Sequence, residues 1–181
     1  MKGKGKYIFI FFVFSAVIIY SCVKKPVYPS TPLIAYSNVL RYGANPADPD
    51  SIKVAITFED EEGDIGISQS DTSGVFKHGN IWLVYWYDST NPPNSYPYHW
   101  CPFDTTTAQQ THTLDSFKIA LRVPVVLAQN TTQPMKGIIY ARLDRGSIHI
   151  PTHKIIKYGI YLYDRAMHKS NYVYTDPLVF Q

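Results

Sequence analysis

Cysteine is nearly absent from this sequence: its 181 residues contain two, Cys22 and Cys101. A disulfide framework is thereby excluded as the basis of the fold. No segment carries a sustained helical stripe, and no glycine-rich phosphate loop or nucleophile elbow occurs. His149 and His153 flank Pro151, so they cannot share a regular helical face as a zinc-binding pair would. Cys101 has His99 and His112 within reach in sequence, but nothing local orients a base or supplies an oxyanion hole. No reaction is therefore expected of this chain. A cationic surface is missing too. Of the 17 basic residues, Lys2, Lys4 and Lys6 lie in the first segment, and what remains balances the 14 Asp and Glu. The broad basic footprint of a nucleic-acid binder is absent from the rest.

What is present begins with an apolar run from Tyr7 to Tyr20 behind those three lysines. At about 14 residues it falls short of the ~20 that cross a bilayer core, and it has the charged and apolar regions of a secretory signal. Ile19, Ser21 and Cys22 resemble the bacterial lipobox. Residues 1–21 then read as a lipoprotein signal peptide and Cys22 as the lipidated residue, leaving Cys101 unpaired and, as a small hydrophobe, buried. Residues 22–32 contain Pro26, Pro29 and Pro32 and form an extended tether. The lipobox resemblance implies a site in the outer membrane, since Val23 stands where inner-membrane lipoproteins carry aspartate, and in its periplasmic leaflet, since Lys24 and Lys25 stand where surface-exported ones often carry acidic residues.

Residues 33–181 suit one domain. Ile52, Val54, Ile56 and Phe58 alternate with Lys53, Ala55, Thr57 and Glu59, the pattern of a half-buried antiparallel strand. Ile81 to Tyr87 is apolar on both faces, as in a central strand. Further strands are expected at 117–122, 138–143, 155–163, 172–180 and, less regularly, 33–42, with a helical turn near 125–129. With 15 tyrosines and abundant β-branched residues, the expected fold is all-β: a single immunoglobulin-like antiparallel β-sandwich of about seven strands.

Three segments carry candidate chemistry. The acidic stretch Phe58 to Ile67 places five carboxylates within six residues. Asp60, Glu62 and Asp64, with Gly63 to turn the backbone, could converge on calcium as a structural ion, the one cofactor the chain suggests. The EF-hand reading fails because a strand precedes the loop and Asp71 stands where a bidentate Glu belongs. Otherwise the stretch is a solvated acidic turn. Next, Asp164, Ser170 and Asn171 can hold a hairpin turn by bonding backbone groups. Lastly, the loop from Tyr85 to Phe103 carries Tyr96, Tyr98 and Trp100, whose rings either stack on a glycan or peptide or fold back over an open end of the core.

The lipobox, the tether, the Phe-x-Asp-x-x-Gly-Asp-Ile-Gly stretch at 58–66 and the Asp-Arg-Ala…Ser-Asn end at 164–171 together resemble Bacteroidota-type cell-envelope lipoproteins of uncharacterised function. The last hairpin resembles that of bacterial immunoglobulin-like modules, in which Gly-Asn is common where this chain has Met167-His168. A residue with a Cβ is thus expected at a positive-φ position. The resemblance implies a lipid-anchored envelope protein. It would act as a non-catalytic binding module for glycan or peptide or, alternatively, as a structural subunit of an envelope protein assembly.

Overall fold

Period-two patterning produces two antiparallel sheets. The computed structural model describes residues 27–90, 97–102, 117–128, 131–148 and 154–180; Cys22, Tyr96, Phe103, His112, His149 and His153 lie outside these ranges. In chain order the strands are β1 (Leu33–Tyr42), β2 (Ser51–Asp60), β3 (Ile81–Asp88), β4 (Trp100–Pro102), β5 (Lys118–Leu121), β6 (Met135–Asp144), β7 (Ile155–Leu162), β8 (Val173–Tyr174) and β9 (Leu178–Val179). Among the described residues, helix is confined to a 3-10 turn at Gly74–Phe76 and a single turn, α1 (Arg145–Ile148). Residues 125–128 are not helical, correcting the turn expected there. The expected strand over 172–180 is two short strands, because residues 175–177 leave the ladder at a proline that has no amide to donate.

The first sheet has the order β1-β2-β6. In the second, β3 and β7 are central. Strands β4 and β5 share the free edge of β3, while β8 and β9 share that of β7. Ile52, Val54 and Ile56 of β2 meet Leu83, Tyr85, Ile156, Tyr158 and Ile160 in one core between the sheets. Removal of each large side chain from water contributes about 1.5–3 kcal/mol. Tyr85 and Tyr158 cross edge to face with centroids 5.8 Å apart, and the Tyr158 hydroxyl donates to the Ser147 carbonyl at 3.0 Å.

Polar side chains tie the sheets where backbone pairing stops. Buried Asn80 donates through Nδ2 to the carbonyls of Ile65 (2.5 Å) and Tyr163 (3.0 Å), and its Oδ1 accepts from the Val123 amide at 2.9 Å. Asn171 acts like a strand residue toward β1. It accepts from the Ile34 amide at 2.7 Å and donates to the Ile34 carbonyl at 2.8 Å. Ser170 Oγ accepts from the Leu162 amide at 3.0 Å and so secures the last hairpin through a backbone group, whereas Asn171, expected to do the same, instead fastens that hairpin to β1.

Candidate functional site

Alternation along β3 and β7 sends Ile81, Leu83, Tyr85, Tyr158 and Ile160 inward and leaves Trp82, Val84, Trp86, Lys157, Gly159 and Tyr161 for the outer face. Cross-strand register sorts these into rows. Trp82 pairs with Tyr161, Val84 with Gly159, and Trp86 with Lys157. Gly159 is required here by space: a Cβ would meet the Tyr172 hydroxyl at 1.9 Å. That absence of a side chain lets the Tyr172 ring lie down across the sheet.

The result is a continuous run of rings. Trp82 stacks on Tyr161 (6.4 Å) and Tyr161 on Tyr172 (5.8 Å); Tyr172 then meets Tyr174 at 5.0 Å, and Tyr174 meets Trp86 at 6.0 Å, both edge to face. Trp86 Nε1 donates to the Tyr172 hydroxyl at 3.3 Å. Tyr172 and Tyr174 remain 39% and 45% exposed, so adjacent ring surfaces face solvent together. A groove of about 570 Å³ runs over them, lined by Val84, Trp86, Lys118, Tyr161, Lys169, Tyr172 and Tyr174.

Lysine supplies the formal charge of this groove, and among the described residues no carboxylate lines it. Lys169 Nζ sits 4.2 Å from the Tyr161 ring centre. Beside the groove, Lys157 Nζ lies 4.4 Å from the Trp100 ring centre, 4.3 Å from that of Tyr174 and 5.9 Å from that of Trp86. Burial lowers the Lys157 pKa, while the three ring faces attract the cation and oppose that shift. Burial also raises the Tyr172 phenol to about 12 and the Tyr161 phenol above its usual value. Both stay neutral at physiological pH, and the face is aromatic and cationic.

Trp100 belongs to this surface through Lys157, and Tyr98 touches Trp100 edge to face at 5.6 Å. Both are half-buried. Tyr96 lies outside the described residues. Pattern reading missed Trp82, Trp86, Tyr161, Tyr172 and Tyr174 as site residues because an apolar residue on either face of a central strand looks like core. The available signal was Lys157 and Gly159 between apolar neighbours in β7. Cys101 is free, but it is half-buried rather than fully buried, with its sulfur 3.2 Å from Ser89 Oγ.

A second cluster forms at one end of the sandwich. Asp60 ends β2, Asp64 follows the turn at Gly63, and Asp164 follows β7 by two residues. One oxygen from each of these three carboxylates lies within 4.8 Å of the others. Glu62 is not a member of that trio, although its Oε2 is buried without a partner. Gly63 has φ +67°, and a Cβ there would meet the Gln133 carbonyl at 2.3 Å; only glycine makes this turn. Asp60 Oδ2 accepts from the Asp64 amide at 2.9 Å. Asp164 accepts from the His168 amide at 2.7 Å, and its other oxygen lies 2.9 Å from His168 Nδ1. Burial, reinforced by Asp64 and Asp164, raises Asp60 to about 6, and burial likewise raises Asp164. Asp60 and Asp164 are thus buried, unlike the side chains of a solvated acidic turn.

Comparison with family models, with curated proteins and with solved structures finds no match to this chain.

Proposed function

We propose that the protein is a lipid-anchored component of the bacterial cell envelope, most simply of the outer membrane, that binds an acidic glycan on the outer face of its second sheet. It carries out no catalysis. The observation that carries this reading is the continuous ring surface of Trp82, Tyr161, Tyr172, Tyr174 and Trp86 under a groove that, among the described residues, is lined by lysine and no carboxylate. Sugar rings present C–H groups that pack on aromatic faces, and uronate, sulfate or phosphate substituents find the ammonium groups. A peptide adding as an extra strand would need main-chain partners, which the interior of a paired sheet does not offer. The lipid on Cys22 would hold the module at the membrane, with residues 22–32 as its tether.

Gel mobility of the full chain in non-ionic detergent through polygalacturonate, alginate or dextran tests the assignment. Retardation by the two uronate polymers and free passage through dextran are expected. Tyr174→Ala and Lys169→Ala should each weaken retention about tenfold, a loss of ~1.4 kcal/mol, with unchanged melting. Equal mobility in all gels would overturn the reading. Recovery of a stoichiometric protein partner from mild detergent, with no polysaccharide binding, would instead establish the structural-subunit alternative.

A further inference from the structure

We propose that Asp60, Asp64 and Asp164 bind one calcium ion, which pins the acidic loop after β2 to the turn after β7. Oxygens sharing one calcium at ~2.3–2.6 Å stand at most about 5 Å apart, and the three carboxylates satisfy that limit at 4.8 Å. The independent observation is Asp60. It is 0% exposed, yet its Oδ1 has no hydrogen-bond partner, and Asp64 Oδ1 is likewise buried and unpartnered. A buried carboxylate oxygen without a donor is costly unless a proton or a cation satisfies it. Among the described residues the one basic side chain paired with the trio is His168, on Asp164. Three carboxylates therefore face one another with at most one compensating charge.

The residue types favour calcium over magnesium. Carboxylates on a loop and a turn from different sheets give an adaptable oxygen cage, whereas magnesium demands near-ideal octahedral geometry and sheds water reluctantly. Zinc would draw on cysteine or histidine nitrogen, and His168 Nδ1 is already committed to Asp164. The ion would also organise what lies beside it. Arg165 donates its amide to the Asp64 carbonyl at 3.1 Å, so the two segments already touch through backbone, and a shared cation converts that contact into a clamp.

The competing account is a proton held between Asp60 and its neighbours. Isothermal titration of CaCl2 into the EDTA-stripped full chain in non-ionic detergent separates the two. One calcium per chain is expected, with a melting-temperature rise of about 5–10 °C at a hundredfold excess over Kd. Asp60→Asn, which mimics the protonated side chain, and Asp164→Asn should each weaken calcium binding at least tenfold. Glu61→Gln, an exposed neighbour, should leave it unchanged. No heat and no melting shift in the wild-type chain would overturn the proposal, as would an equal response to MgCl2.

Discussion

Met167 holds φ at 69°, alone among the described non-glycine residues in the left-handed region. The cost of that conformation for a residue with a Cβ is ~1–2 kcal/mol. Its amide donates to the Asp164 carbonyl at 3.1 Å, and that turn sets φ. The side chain is 63% exposed, so little packing opposes its removal. Met167→Gly should therefore stabilise the chain by about 0.5–1 kcal/mol after allowing for the extra freedom of unfolded glycine. Melting temperature should rise by about 1–4 °C; a fall would show that the turn is not strained there. This position was legible in the sequence, where a residue with a Cβ is expected at a positive-φ position of the last hairpin. Asp164 as a partner of Asp60 was not: about a hundred residues separate them, and only the folding of β7 against the acidic loop brings them together.

Elements explain both what the sequence discloses and what it conceals. Strand β2 alternates cleanly because one face is core and the other half-covered, and its limits follow from Ser51 and the acidic loop. Strand β3 is apolar on both faces for two different reasons: Leu83 and Tyr85 fill the core, while Trp82 and Trp86 build the ring surface. Composition does not separate these roles; register with Lys157 and Gly159 does. The loop and turn around Asp60 also make a pH prediction. Folded Asp60 keeps its proton up to about 6, whereas an unfolded aspartate releases it near ~3.9. The folded state thus binds the extra proton in between, and the associated stability is complete below ~4 and lost as pH rises through about 6. In EDTA, melting temperature should fall between pH 5 and pH 7. Calcium, which binds the ionised carboxylates, should oppose that fall. A melting temperature that rises over this range in EDTA would contradict the burial of Asp60.

For the whole molecule, the features divide between ends and faces. The carboxylate cluster lies where the acidic loop meets the last hairpin, and the ring surface covers the outside of the second sheet. Lys169 joins them, for it follows the Asp164–His168 turn and lines the groove. The positive charge of the chain as a whole belongs to the first segment, so the domain presents lysines locally against a balanced background. Lipid attachment would add binding at ~0.8 kcal/mol per buried methylene, making the sheet face free for a ligand in the aqueous phase. Cys22→Ser should abolish incorporation of labelled palmitate and shift the chain from the membrane to the soluble fraction. Labelling that persists would place the acyl group elsewhere.

Binding of acidic sugar by the lysine-edged aromatic face is the role proposed for this domain. Its most direct test is titration of the full chain with a defined galacturonate oligosaccharide, followed by tryptophan fluorescence, since Trp82 and Trp86 lie within the ring surface. A saturable change is expected in the wild-type chain, weakened about tenfold in Tyr174→Ala and in Lys169→Ala and not reproduced by a neutral glucose oligosaccharide. A flat titration, or a response that both variants keep, would contradict it.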